Sequence, residues 1–461
     1  MIIRFILLAI LLLTVPAALR AQTQPATAPS LAEARAYFDT ATGKAQLPGA
    51  ELKRLETLVT QLGAEDWAVR DAAERTLKTE QAAIPLLQRA LSSSDLEVVT
   101  RTRRLLQILQ ARDPLNLALL QAALATRVAA RDTAVIDDLI LLLDSMSPTA
   151  RYVSEYGLRR LTGQKFAYNS FADLATREAG AKAVQQWWAK GKDKFVLQAP
   201  PRYGLLLAVA SGEAKFVALF DDSGELIWKR PLPYAPSSAV GLANGNLLVG
   251  SSDSPGVATE YDPTGKAVWS TADLKLTHKG GIADLERLAN GNTLLALPND
   301  FMLVQVDATG TMPWLAKHLQ HPYAIQPLPN GNTLVLERLS NQVSELSPAK
   351  AVVRAMEGLN TPTDARSLAN GNVLITEFDG RRIMEIDSKG TVVWRSVTQG
   401  NPSSVERLPD GSTAYAAGQE GLVIVGFDGK IIRRPLGSQN SRWGKVRLVS
   451  EAFLQAQTKK P

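Results

Sequence analysis

Three histidines, His278, His318 and His321, are the only imidazoles in 461 residues, and there is no cysteine. Disulfides, thiolate metal sites and cysteine nucleophiles are therefore excluded. Metal sites draw on imidazole or on clustered carboxylates. His318 and His321 stand three residues apart, but in a loop entering an inner strand and with no His-x-x-x-His helix, so no metal and no cofactor is expected. No EF-hand loop, phosphate-cradling glycine loop or G-x-S-x-G elbow is present. What remains is His321 and a spaced set of polar residues: Asp284, Glu286, Gln326, Asp364, Arg366, Ser404 and Glu406. Each lies two or four places before one of four leucines at 40-residue intervals, Leu288, Leu328, Leu368 and Leu408. In a strand such spacing places them on one face.

The elements that must carry these residues repeat. GLANGN, RLANGN, PLPNGN, SLANGN and RLPDGS recur with their turn residues at Asn244, Asn290, Asn330, Asn370 and Asp410. The copy from Thr363 to Val397 resolves into four short apolar runs. Asn-Gly supplies the positive φ of a hairpin turn, and an Asp-x-x-Gly closes a second. That second turn recurs at Asp222-Ser-Gly224, Asp262–Gly265, Asp307–Gly310 and Asp387–Gly390, and the copy at Ser347–Lys350 has lost both Asp and Gly. A fixed period near 40 with four strands per copy is the signature of a β-propeller. Trp228, Trp269, Trp314 and Trp394 recur with the repeat, as wedges between blades would.

Five inner strands end near Leu242, Leu288, Leu328, Leu368 and Leu408. A sixth, within WGKVRLV and aligned on Leu448, has no blade after it, while three strands between 203 and 230 have no inner strand before them. The two ends sum to one blade. Six blades are predicted, the first closed by residues 443–449, which removes the free sheet edges. The polar set then faces the central channel as a ligand-binding candidate, or simply lines a water-filled passage. The same alignment brings Ala235, Gly281, His321, Thr361 and Asn401 to one position at the channel mouth.

Asn-Gly-Asn before an apolar strand, then Arg/Gln-Ile/Val-x-Glu at 382–385 and 342–345, then Asp-x-x-Gly and Trp, resembles the arylsulfotransferase-like six-bladed propellers over residues 205–450. It resembles the quinoprotein-type repeat propellers less closely. Arylsulfotransferases pass a sulfuryl group through channel histidines and an arginine, so the resemblance implies a nucleophilic His321 helped by Arg366 as the catalytic candidate. The companion histidines that family uses are missing. A quinone-dependent dehydrogenase would need a calcium site, which no residue cluster singles out.

The first half reads differently. Residues 1–21 form a secretory signal, with Arg4 ahead of an apolar stretch from Phe5 to Val15 that is short for a spanning helix. Membrane contact is expected only if this segment is retained. Residues 22–30 are a polar linker. From 31 to 195 apolar residues recur at helical spacing. Asp66-x-x-Val-Arg70, the weaker Asp95-Leu-Glu-Val-Val99 and the Ile84-Pro85-Leu86-Leu87 start resemble HEAT repeats, a family that implies a surface for protein partners; a helical cap on the propeller is the alternative. Trp187-Trp188 is read as an anchor of the last helix.

The net charge is +6, from 51 basic and 45 acidic residues. The excess gathers in residues 151–200, with nine Lys/Arg against four acids, and an exported chain of this kind is not expected to bind nucleic acid. The expectation is a multidomain α + all-β protein: an α-helical HEAT-like solenoid over 31–195, a six-bladed β-propeller over 203–450 and a C-terminal tail over 451–461. It is exported to the periplasm or outside the cell. It binds or scaffolds a protein partner without catalysis. A sulfuryl-transfer enzyme with its site near His321, and a sensor taking a small molecule or glycan in the channel, are the rivals.

Overall fold

Nine helices precede six four-stranded sheets among the residues described by the computed structural model, which are 28–42, 49–111, 115, 117–145, 147–211, 214–274, 280–437 and 443–458. The segment read as a secretory signal (1–21), most of that read as a linker (22–30) and His278 lie outside them. Among the described residues no helix is long and apolar enough to cross a membrane.

The helices begin where the sequence supplies caps. Ser30 and Glu33 form a reciprocal capping box ahead of Leu31–Ala41. The Asp66 carboxylate accepts the Ala68 N–H ahead of Trp67–Leu77, and Asp95 accepts that of Glu97 ahead of Leu96–Ala111 at 2.8 Å. Each satisfies a backbone donor the helix cannot. Two apolar cores form. Leu55, Leu62, Leu77, Leu87 and Leu105 join the helices between Gly49 and Ala111. Phe38, Leu120, Leu139, Val153 and Trp188 join the rest. Trp188 donates its indole N–H to Asp137 at 2.8 Å and meets Phe195 edge-on. Trp187 meets Phe166 in the same way. The tryptophan pair is thus used in packing the last long helix, Leu174–Gly191.

The blades follow the repeat. Blade two is Pro236–Gly241, Leu247–Ser251, Ala258–Tyr261 and Ala267–Ser270, and blades three to six run through residues 284–317, 322–356, 362–397 and 402–436. Blade one joins Tyr203–Ser211, Ala214–Asp221 and Leu226–Pro231 to Trp443–Ser450, in antiparallel register from Tyr203 opposite Ser450 to Ala210 opposite Trp443. This last strand is the innermost of its sheet. It lies between the inner strands Pro402–Arg407 and Pro236–Gly241, so the chain's end closes the ring. Residues 451–458, read from the sequence as tail, form a helix that buries Phe453 and Leu454 against blades one and two.

The repeated residues hold each blade to itself. The first Asn of each Asn-Gly-Asn accepts the N–H two residues on, and Asp410 does the same for Ser412. The second Asn donates to the glutamate of the third strand: Asn246 to Glu260, Asn332 to Glu345, Asn372 to Glu385. In blade one the second-turn aspartate is Asp221, one residue before the position read from sequence; its carboxylate accepts the N–H groups of Ser223 and Glu225. Trp314 and Trp394 donate to carbonyls of the following blade, those of Pro348 and Phe427.

The helical region docks on the Asn-Gly end of blades five and six. Tyr152 donates to the Gly411 carbonyl and stacks on Phe427, with ring centroids 4.3 Å apart. Arg407 donates to the Tyr152 hydroxyl and pairs with Glu385 at 2.7 Å, all three buried. Gly411 has φ +87°, and a Cβ there would stand 2.7 Å from the Tyr152 ring. The C-terminal helix covers the same end at blade two, where Gln457 donates to the Gly245 carbonyl. The opposite end of the ring, where the inner strands begin, carries the cup described next.

Candidate functional site: the channel floor and the open cup

All seven polar residues singled out on the inner strands reach the channel side of the ring, and several are tied across blade boundaries. Asp284 accepts the Ile325 N–H at 3.0 Å, Gln326 that of Ser367 at 2.7 Å, Asp364 that of Val405 at 3.2 Å and Ser404 that of Val446 at 3.1 Å. Each of these side chains therefore fastens its blade to the backbone of the next. The inner strands have unpaired backbone on their channel edge, and buried N–H groups need acceptors. This accounts for part of the polar pattern without a ligand.

Two further residues complete the cluster. Lys445 pairs with Asp284 at 2.7 Å, and Arg447 bridges Asp284 and Asp364 at 2.9 and 3.0 Å. The alignment on Leu448 hid both. The Val446 N–H donates to Ser404 as the Val405 N–H donates to Asp364. Val449, not Leu448, thus holds the place of Leu408, and their exposures of 3% and 38% agree. A one-residue slip in a strand exchanges its faces. With the register corrected, Lys445 stands with Asp284, Asp364 and Ser404, and Arg447 with Glu286, Gln326, Arg366 and Glu406.

The result is a floor across the channel built of four carboxylates (Asp284, Glu286, Asp364, Glu406) and three cations (Arg366, Lys445, Arg447). Arg366 lies 3.1 Å from Glu406 and 3.4 Å from Glu286, and donates to the Ile325 carbonyl. Burial raises the Glu406 carboxyl to about 8, against the opposing pull of Arg366. Burial likewise raises Glu286 to about 7, and pushes Asp364 upward. Burial works against the charge of Arg366, but Glu406, Asp364 and Glu286 outweigh it, and it holds its proton more tightly than usual.

Above this floor, at the open end, is a cup of about 370 Å³. Its lining includes Ser237, Ala283, Tyr323, Ser403 and Gly444, each beside the start of an inner strand. In blades two, four and six this residue is a β-bulge, between Pro236 and Ser238, Pro322 and Ala324, Pro402 and Ser404. The bulge re-aims its side chain, so strict alternation places these residues on the wrong face. Lys445, Arg338, Ser252 and Asn299 add to the polar lining, and the Arg338 guanidinium lies over the Tyr323 ring, 5.0 Å from its centroid.

His321 lines the cup and Arg366 does not. The two catalytic candidates are thus placed apart, one at the mouth and one in the floor. The backbone of His321 has φ +62° ahead of Pro322, and Thr361, ahead of Pro362, has φ +51°. The conformation is therefore not peculiar to the histidine. Burial lowers the His321 pKa, with Arg338 adding to the effect, so the ring is neutral at neutral pH. His318 lines a separate hollow with Lys317 and Gln320. Among the described residues, no three His, Cys, Asp or Glu side chains converge as a metal site.

Residues 177–314 match the family described as outer membrane protein assembly factor BamB. Among curated proteins none matches the chain. Among solved structures, a Bacteroides caccae protein of unknown function is 17% identical, with TM-score 0.44, over 54% of this chain and 99% of its own. A catalytically inactive variant of virginiamycin B lyase from Staphylococcus aureus, with quinupristin, is 14% identical with TM-score 0.38, over 52% and 76%. The WD40 propeller domain of Doa1 is 12% identical with TM-score 0.39, over 50% and 77%.

Proposed function

We propose that the protein is an exported binding or scaffold protein without catalytic activity, which meets a protein partner through its helical region and its propeller. The observation that carries this reading is the use made of Arg366. The arginine that the resemblance assigns to sulfuryl transfer is buried, paired with two carboxylates and bonded to a carbonyl, and it is absent from the cup that His321 lines. A group transfer needs nucleophile and charge stabiliser on one reacting atom. The helical region supports the same reading. Trp67 and Leu96, which open two of the helices with HEAT-like heads, are 63% and 80% exposed, and large apolar side chains held in water mark contact surfaces. The match to a family named for outer-membrane assembly supports a location in the cell envelope.

The test pairs capture with turnover. The chain from residue 22 is expected to retain a partner from an envelope fraction, and Trp67→Glu with Leu96→Glu to lose it while keeping the same melting temperature. Transfer of a sulfuryl group from an aryl sulfate to a phenol, abolished in His321→Ala, would overturn the scaffold reading in favour of the enzyme.

A further inference from the structure

The cup on the open end has a chemistry that a scaffold leaves unused. Ala208, Ala210, Pro236, Ile282 and Pro298 give it apolar walls. Among the described residues its ionisable lining is Arg338, Lys445, His321 and Tyr323, with no Asp or Glu side chain. Lys445 is fixed from below, on Asp284, which is fully buried. Arg338 lies over the Tyr323 ring. Glu337, the residue before Arg338, is engaged by the Gln320 N–H at 2.6 Å. Both cations are therefore positioned by the fold before any ligand arrives, which lowers the ordering cost of binding. Two polar atoms in residues of the lining, Nδ1 of His321 and Oγ of Ser237, are buried without a hydrogen-bond partner. Buried polar atoms in native proteins nearly always have one.

We propose that the cup is a binding site for a small organic anion, a carboxylate on a short apolar body. The negative end meets Arg338 and Lys445, with Ser237 as a further donor. The apolar body rests on the alanine and proline walls. The volume stands near the lower end of the roughly 300–1,000 Å³ that small-molecule sites span, so the ligand has the size of a simple aromatic or short-chain acid. Charge near an apolar wall is the arrangement that separates such an acid from its neutral amide, because a neutral amide offers the cations nothing to offset their desolvation.

The experiment is calorimetric titration of the intact chain with benzoate and hexanoate, and with benzamide and hexanamide as neutral partners of the same shape. At least one acid is expected to bind at least about tenfold more tightly than its amide, and Arg338→Gln to remove that difference. Ser237→Ala, a smaller change, is expected to weaken the acid several-fold at an unchanged melting temperature, which separates loss of the site from loss of the fold. Equal binding of acid and amide, undiminished acid binding in a folded Arg338→Gln variant, or no heat from either acid at millimolar concentration would each overturn the proposal. None of these results bears on partner capture, which reads different residues.

Discussion

Glu406 and Glu286 share one cation, Arg366, and that sharing has a consequence for stability. Glu406 keeps its proton up to about pH 8 in the fold, above the ordinary 4.5. Between those values the folded chain binds more protons than the unfolded one. The contribution is therefore complete below about pH 4.5 and is lost as pH rises through 8. Each tenfold difference in proton affinity is worth about 1.4 kcal/mol, so ionising this carboxyl costs on the order of a few kcal/mol. Glu406→Gln resembles the protonated form and carries no such loss. Its melting temperature relative to the parent chain is expected to climb from about pH 5 to pH 8 and to level off above that in a thermal-melt series. A constant difference across that range would mean that Glu406 does not titrate there.

At the scale of the element, the second turn of blade four shows what a repeat tolerates. Ser347 replaces the turn aspartate and still accepts the Ala351 N–H, at 3.1 Å. Lys350 replaces the glycine and takes φ +69°, against +82° to +93° at Gly224, Gly265, Gly310 and Gly390. A left-handed residue with a Cβ costs roughly 1–2 kcal/mol, part of which glycine gives back as unfolded-chain entropy. Lys350→Gly is accordingly expected to stabilise the chain by about 0.5 kcal/mol in denaturant melts. The same scale explains what could be read in advance. Blade number, closure and the polar face of the inner strands were legible, because Asn-Gly turns and aligned leucines repeat without interruption. The cup was not. Lys445 and Arg447 were lost to a leucine one residue from the right register. Ser237, Tyr323 and Ser403 were lost to bulges that the bulged residues themselves do not mark, since Ser, Tyr and Ser share no common side-chain type. The proline that opens four inner strands (Pro236, Pro322, Pro362, Pro402) was the signal available, since it starts each strand two residues before the side chains that alternate.

At the scale of the molecule the two ends of the ring have different tasks. The Asn-Gly end is covered: Tyr152 and Arg407 join helices to blades five and six, and Phe453 anchors the C-terminal helix by blades one and two. The other end carries the cup. This division depends on the last strand, which supplies Lys445 and Arg447 to the floor and the inner edge to blade one. Removing residues 443–461 would open the ring between blades six and two. It would leave Asp284 with neither cation and Asp364 without Arg447, and would expose the edge of Tyr203–Ser211. Breaking a buried pair by removing one partner costs about 3–5 kcal/mol, and a folded domain has roughly 5–15 kcal/mol in total. The truncated chain is therefore expected to lose its cooperative melt and to aggregate, as an open strand edge does. A chain ending at residue 450 keeps the strand and loses only the helix; it is expected to melt cooperatively at a lower temperature. If both truncations melted like the full chain, the ring would be held by the other five blades alone.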